Sequence, residues 1–182
     1  MLISLRRRLL VAGALLAPVL GVAAATAIRP AEAAGTPSAV TPAVSLPPTV
    51  DPVCVDIAHG HPAAASSIQS PAYPAAAAFD EDLHTRWSSR FADHQWLRVD
   101  LGAPRGFNAI DLTWEQAYAS SYQIQTADDP AGPWTTQYTR SGGVGGHERF
   151  TVFATGRYVR LVGLTRATPW GISLWSFVVC GN

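Results

Sequence analysis

Residues Phe79–Gly102 read FDEDLHTRWSSRFADHQWLRVDLG, and two features of this stretch decide the fold class. Its first half is rich in acids and hydroxyl groups and has no apolar period, which is typical of a loop. Its second half alternates, and Leu97, Val99 and Leu101 fall on one face of residues 95–101. This alternation predicts a β-strand with one buried face. An oxygen-rich loop that leads into such a strand suits a binding site mounted on a β-sandwich.

The rest of residues 54–182 also has the sequence pattern of an all-β domain. Runs of aromatic and β-branched residues alternate with Gly, Pro, Asp and Ser clusters, as in short strands joined by turns. No long helical period occurs, although Tyr73–Phe79 could form one helical turn. We predict strands over the ranges Gln95–Leu101, Ala109–Trp114, Ser121–Ala127, Trp134–Tyr138, Glu148–Phe153, Arg157–Val162 and Leu174–Cys180. Seven or eight such strands predict a β-sandwich.

The first 53 residues have a different character and predict export. Arg6, Arg7 and Arg8 precede an apolar run, and a small-residue site, Ala31-Glu32-Ala33, follows it. This order predicts a signal peptide over residues 1–33, cleaved near Ala33, and hence a secreted protein. The alternative is a membrane anchor, and the sequence leaves open whether export uses the Sec or the twin-arginine route. Residues 34–53, rich in Pro, Thr and Ala, predict an extended linker.

The predicted domain, residues 54–182, has Cys54 and Cys180 near its two ends. In an exported protein this placement favours one disulfide bond between the first and last strands, and the alternative is two free thiols. The domain contains nine Arg and eleven acidic residues. Because nucleic-acid binding needs clustered positive charge, that balance argues against a nucleic-acid-binding patch. It equally gives no polybasic face for acidic membranes, and we expect no membrane insertion of the mature domain.

Five phrases occur in a fixed order across residues 54–182: AFDEDLHTRWSS, QWLRVDLG, FNAIDLTWEQAYASSYQIQTADDPAGPW, ATGRYVRLVG and WGISLWSFVV. The series resembles the discoidin, or coagulation factor 5/8 type C, domain family, and within it the bacterial family 32 carbohydrate-binding modules. The resemblance implies a jelly-roll, galactose-binding-like β-sandwich that is not catalytic and binds ligands through loops at one end. Bacterial members usually adjoin glycoside hydrolase domains, so a separate glycoside hydrolase is a possible partner.

The acidic loop is a candidate calcium site. Asp80, Asp82 and Thr85 can turn carboxylates, a hydroxyl and main-chain carbonyls toward one point, and Ca²⁺ takes six to eight oxygen ligands. The resemblance implies a structural calcium completed by a Glu near the end of the last strand, where this chain has Ser176. Losing that carboxylate should weaken the site, and Glu81 could compensate. The alternative is an Asp-rich turn that caps its own backbone.

Three loops carry the mixture of aromatic and polar side chains that sugar binding requires: residues 90–94, 115–118 and 166–170. Sugars present C–H faces that stack on aromatic rings, and hydroxyl pairs that bind charged or amide groups. Trp170 lies between Pro169 and Gly171 and is expected to be the exposed stacking platform, although it could instead plug the end of the sandwich. The expected polar contacts are Arg166, His94 and Glu115, with Tyr118 and Arg90 as further candidates.

Other residues are expected to be structural. The remaining tryptophans lie in or beside strands and should pack in the core or on a sheet face. Arg157 is expected to pair with Asp100 or Asp111. No nucleophile elbow, phosphate-binding loop or metalloprotease helix is present, so we predict no enzyme.

The sequence therefore predicts a secreted module that binds a polysaccharide or cell-surface glycan. The alternative is a discoidin domain that mediates adhesion or binds protein without binding sugar. Phospholipid binding is disfavoured because the candidate loops lack a projecting pair of large apolar side chains.

Overall fold

A computed structural model describes residues 53–181. The predicted signal peptide and the predicted linker, except Val53, lie outside these residues. Within residues 53–181 no helix is long and apolar enough to cross a membrane.

The predicted all-β class is confirmed. A single 3-10 turn, Ala75–Ala78, lies inside the segment in which one helical turn was expected. The eight strands of residues 53–181 are β1 Val55–Asp56, β2 Ala63–Ala65, β3 Trp87–Ser88, β4 Gln95–Trp114, β5 Ala119–Ala127, β6 Thr135–Ser141, β7 His147–Arg166 and β8 Ser173–Gly181.

Two pairs of predicted strands are each one long strand, which corrects the prediction. The expected strands at residues 95–101 and 109–114 are the two ends of β4, and those at 148–153 and 157–162 both belong to β7. Gly102 and Pro104, which are residue types common in turns, lie between these two ends of β4. The β4–β7 pairing instead continues past them through a shift in register between Asp100 and Arg105. A β-bulge bends a strand without ending it, so turn-forming residues within a bent strand misplace its boundaries.

The two bent strands allow one continuous ladder to form both layers of the sandwich. Strand order is β1-β8-β4-β7-β5-β6, with β2 beside β4 and β3 beside β8. The first part of β4 pairs with β2 and with the second part of β7, which also pairs with β5. The second part of β4 pairs with β8 and with the first part of β7. This is the predicted jelly-roll arrangement.

Alternating residues of the two layers form the core between them. Leu97 and Val99 of β4 are fully buried, as the alternation predicted, and Ile110 and Leu112 of the same strand are buried as well. The cluster also contains Trp87, Trp114, Tyr122, Ile124, Leu161, Ile172, Leu174 and Phe177. Trp96, Trp134 and Trp175 are half-buried, as expected for sheet-face positions.

Two predicted contacts fasten the domain. Cys54 and Cys180 form a disulfide bond across a sequence separation of 126 residues, next to the β1–β8 pair. Arg157 binds Asp100 through two hydrogen bonds of 2.8 Å each. The guanidinium group of Arg157 holds the pKa of the Asp100 carboxyl well below its usual range.

Candidate glycan-binding cleft

A cleft of about 280 Å³ lies where the loops after β3, β4 and β7 meet. Its lining residues come from four separate segments of the chain. They are Gln69, Arg86, Ser88, Phe91, Glu115, Gln116, Ala117 and Trp170.

Backbone hydrogen bonds hold these loops together. The N–H of Ser173 donates to the carbonyl of Ala117 at 2.8 Å, and the N–H of Ser89 donates to Ile172 at 2.9 Å. Gly171 directly precedes Ile172 and Ser173, and a Cβ atom at this position would meet the carbonyl oxygen of Ser89 at 2.4 Å. Only glycine lets the Trp170 loop approach the Ser89 backbone this closely, so the sequence itself sets the position of Trp170.

Two aromatic rings at the cleft are open to solvent, which corrects the expectation that the candidate loops lack a pair of exposed large apolar side chains. Trp170 is 52% exposed and Phe91 is 55% exposed. The possibility that Trp170 plugs the sandwich end is therefore not what the structure shows. Flat exposed rings beside polar groups provide the surfaces on which the C–H faces of sugars stack.

Arg86 provides a fixed cation in the cleft. Its guanidinium group lies 3.9 Å from the centre of the Tyr73 ring and 5.7 Å from that of Trp175. One terminal nitrogen donates to the hydroxyl of Ser173 at 2.9 Å. Because stacking and one hydrogen bond already hold the side chain, its remaining N–H groups can bind hydroxyl pairs with little further loss of side-chain entropy.

Two other polar side chains are each fixed through one atom. The Oε2 atom of Glu115 accepts a hydrogen bond from the N–H of Ala117 at 2.9 Å. The Oε1 atom of Gln69 accepts one from the hydroxyl of Ser88, also at 2.9 Å. Within residues 53–181 the other carboxylate oxygen of Glu115 and the amide nitrogen of Gln69 have no hydrogen-bond partner. The cleft therefore presents one carboxylate oxygen and one amide donor beside two rings.

Arg166 lies behind the cleft and fastens the Trp170 loop. Its guanidinium group donates to Asp93 at 2.9 Å and to the carbonyls of Pro169 and Trp170 at 3.0 Å each. Its backbone N–H also donates to Asp93. The backbone bond and then the guanidinium bond hold the pKa of the Asp93 carboxyl below its usual range. Most donors of Arg166 are thus engaged by protein atoms, and the residue positions Trp170.

The other predicted contacts lie outside the cleft lining. His94 and Arg90 are exposed on the neighbouring loop, and His94 has a left-handed backbone with φ of 56°. Tyr118 is half-buried and packs its ring over Gly145, where a Cβ atom would meet the ring at 2.7 Å. Of the six predicted sugar contacts, the structure brings Trp170 and Glu115 together in one cleft.

The acidic loop uses its polar atoms internally. Asp80 accepts from the N–H of Asp82 at 3.0 Å and from the hydroxyl of Thr85 at 2.6 Å. Asp82 accepts from the backbone and the ring of His84, and these bonds hold its pKa below the usual range.

Calcium would find oxygen ligands in this loop, but few of them are charged. Among residues 53–181 no group of three or more His, Cys, Asp or Glu side chains is placed to hold a metal ion. Ser176 pairs with Thr113 in the β4–β8 ladder. Asp80, Asp82 and Thr85 therefore supply the right type of ligand with two carboxylates, fewer than a tight calcium site uses.

Sequence reasoning passed over Arg86, Phe91 and Gln69. Arg86 adjoins the acidic loop in the sequence, and its partner Ser173 is 87 positions away. Phe91 lies in a loop that was singled out, and its exposed ring was a signal that could have been weighed beside Trp170.

Comparison with known proteins agrees with this geometry. The family model described as "F5/8 type C domain" matches residues 62–177, which include the whole of the cleft. The chain belongs to the F5/8 type C domain family. No curated protein matches the chain significantly.

Solved structures of carbohydrate-binding modules are similar to this domain. Chitosan-binding module 1, derived from a chitosanase/glucanase of Paenibacillus sp. IK-5, is 44% identical with a TM-score of 0.67, over 70% of this chain and 99% of that chain. Module 2 of the same enzyme, in complex with chitotriose, is 35% identical with a TM-score of 0.67, over 69% and 100%. The family 32 module of C. perfringens NanJ, in complex with galactose, is 20% identical with a TM-score of 0.56, over 65% and 91%, and supports the fold alone.

Proposed function

We propose that this protein is a non-catalytic carbohydrate-binding module whose cleft binds a glucosamine-containing polysaccharide. The observation that carries the proposal is the free Glu115 oxygen beside the exposed rings of Trp170 and Phe91. This arrangement occurs in a chain 44% identical to a chitosan-binding module.

The chemistry of the cleft suits an amino sugar. A glucosamine unit has a C–H face for stacking, hydroxyl groups, and an amine that is cationic when protonated. The rings of Trp170 and Phe91 would take the C–H faces, and Arg86 would bind a hydroxyl pair. Among residues 53–181, Glu115 is the only carboxylate that lines this cleft, so it would pair with the ammonium group. A single shallow site of this kind gives weak binding, strengthened when one polymer engages several modules.

The proposal is tested by calorimetric titration of the full chain with a glucosamine hexamer and with its fully N-acetylated counterpart. We expect the glucosamine hexamer to bind more tightly, because acetylation removes the charge that faces Glu115. Glu115→Gln should remove most of that preference while keeping the shape of the side chain. Val144→Ala, whose exposed side chain does not line the cleft, is the matched control. Absence of binding to either hexamer would contradict the proposal.

We also propose that the Asp80–Thr85 loop binds Ca²⁺ weakly in a structural role. Its support is the pair of carboxylates with Thr85 beside them. Isothermal titration with CaCl₂ after chelator treatment tests this proposal. Heat of binding that is lost in Asp80→Asn is expected, and no heat in the wild-type chain would refute it.

Secretion and a hydrolase partner complete the proposal. Cleavage near Ala33 should give a mature chain that begins near Ala34, which N-terminal sequencing of protein from the culture medium would detect. A module bound to its polymer would raise the local concentration of a separate glycoside hydrolase only if the two proteins associate. Co-sedimentation of the full chain with such a hydrolase, in the absence of polysaccharide, tests that association.

A further inference from the structure

A second unusual surface lies at a bulge in strands β4 and β7. Phe107 pairs with Ala154, and the next paired residue, Ala109, faces Thr151, so Asn108 opposes two residues of β7. The β4–β8 ladder shifts register at the same place. Bulges of this kind re-aim side chains.

The two residues of β7 that face Asn108 point in opposite directions. Val152 turns into the core and is 7% exposed, whereas Phe153 turns outward and is 80% exposed. Among the Phe and Trp side chains of residues 53–181, only Phe91, Trp170 and Phe153 are markedly exposed. The first two line the cleft around Trp170. Phe153 lies elsewhere, so binding at the cleft does not account for its exposure.

Phe153 lines a groove of about 820 Å³, which we call the Phe153 groove. Its polar lining side chains are Asn108, Gln137 and Thr155. The amide nitrogen of Gln137 donates to the hydroxyl of Thr126 at 2.8 Å, which fixes the amide and leaves its oxygen free to accept. The Phe153 groove therefore combines an exposed ring, an amide fixed by a hydrogen bond and a hydroxyl group, as the cleft around Trp170 does.

The Phe153 groove continues into an adjoining groove of about 460 Å³ that shares Gln137 and Thr155. The adjoining part is lined by Asp128 and Asp129 and by no basic side chain. Asp129 accepts a hydrogen bond from the N–H of Ala131 at 2.7 Å through one oxygen. A chain lying along both grooves would stack on a ring and then meet carboxylates, which favours a sugar polymer that carries amines over a neutral or anionic one.

We propose that the Phe153 groove and its extension to Asp128 and Asp129 form a second binding surface for the amino-sugar polymer. This inference rests on the proposed function of the cleft. It makes a single domain able to hold one long chain, or two neighbouring chains, at two places. Linked contacts of this kind raise the affinity for polymer much more than that for a short oligomer.

The test uses four forms of the full chain: wild type, Phe153→Ala, Trp170→Ala and the control Val144→Ala. Val144 is 76% exposed, comparable to Phe153, and lines neither groove. Sedimentation with insoluble chitosan measures binding to polymer, and NMR follows the side-chain amide signals of Asn108 and Gln137 during titration with a glucosamine hexamer. We expect Phe153→Ala to weaken polymer binding about tenfold and Val144→Ala to leave it unchanged.

The side-chain amide signals of Asn108 and Gln137 distinguish binding at the Phe153 groove from binding at the cleft. They should shift in the wild type and in Trp170→Ala, and stay in place in Phe153→Ala. If they do not shift while the hexamer still binds at Trp170, the second surface is refuted and the cleft stands. If no form binds hexamer or polymer, both proposals fail. If Phe153→Ala abolishes self-association in sedimentation velocity and leaves chitosan binding intact, the groove is a contact between copies of this chain, and the inference is overturned.

Discussion

The cleft around Trp170 and the acidic loop at residues 80–85 are both polar loop regions, yet they use their polar atoms in opposite ways. Asp80 and Asp82 accept hydrogen bonds from the backbone and side chains of their own loop. Glu115 is fixed through one oxygen and keeps the other free. The carboxylates of a turn can accept hydrogen bonds from their own loop. In a binding site, some atoms of each side chain must bond to the protein, and others must remain free to bind the ligand. Substitutions in each region should therefore have different consequences for binding and for stability.

Gly171→Ala should have the largest effect, because it displaces the loop that presents Trp170. The added Cβ would meet the Ser89 backbone oxygen at 2.4 Å, and backbone cannot move as easily as a side chain. We expect a loss of about 1–3 kcal/mol in the free energy of unfolding and loss of measurable glycan binding. Chemical denaturation and calorimetry measure the two quantities. Gly106→Ala, whose Cβ would make only an ordinary 3.9 Å contact, is the control for stability. Unchanged binding in Gly171→Ala would show that the loop position does not matter.

Trp170→Ala should separate binding from stability. The ring is half-exposed, so its removal creates no core cavity, and the melting temperature should stay the same. Loss of the stacking surface should weaken binding of the glucosamine hexamer about tenfold or more. A variant that binds like the wild type would move the site away from the cleft.

Asp93→Asn tests whether Arg166 supports glycan binding by positioning Trp170. Removing the carboxylate frees the Arg166 guanidinium group, so we expect a severalfold loss of hexamer affinity with little change in stability. The pKa of Asp93 is lowered in the folded protein, so the contact is complete at neutral pH. In the folded protein it persists as the pH falls to about 4, the usual Asp value, and is lost only as the pH falls through the lowered pKa of Asp93.

The affinity difference between wild type and Asp93→Asn should therefore persist at pH 4 and shrink only as the pH falls further, through the lowered pKa of Asp93. Titrations at several pH values measure it. A difference that stays constant down to the acid limit of folding would show that the Asp93 charge is irrelevant.

Asp80→Asn should leave the cleft almost unaffected. The acidic loop bonds mainly to itself, so its loss should lower the melting temperature by a few degrees and leave hexamer affinity unchanged. Treating the wild-type chain with a chelator should likewise leave its affinity for the hexamer unchanged. A marked fall in hexamer affinity in either experiment would show that the two loops are coupled.

The fold could be predicted from the sequence wherever side-chain alternation carries the information. Leu97 and Val99 are buried as their spacing indicated, and Arg157 pairs with Asp100 as expected. The bends of β4 and β7 could not be predicted, because Gly102 looks the same in a bulge as in a turn. Distinguishing the two requires knowledge of the pairing strand.

The site could be predicted only in part, for a related reason. Trp170 and Glu115 stand in loops of suitable composition, and the structure brings them together. Arg166 has the same character in the sequence, but backbone carbonyls occupy its donors. Arg86 follows the acidic loop in the sequence, and only the fold shows its contacts with Tyr73 and Ser173 at the cleft. Sequence reveals which groups are present, whereas the fold determines which of them remain free to bind.

The central claim is that Trp170 lies at the glycan-binding site. The most direct test follows the indole N–H signals of the six tryptophans by NMR while the full chain is titrated with the glucosamine hexamer. We expect the Trp170 signal to shift most and those of the buried Trp87 and Trp114 to stay in place. A bound hexamer that leaves the Trp170 signal unmoved would contradict it.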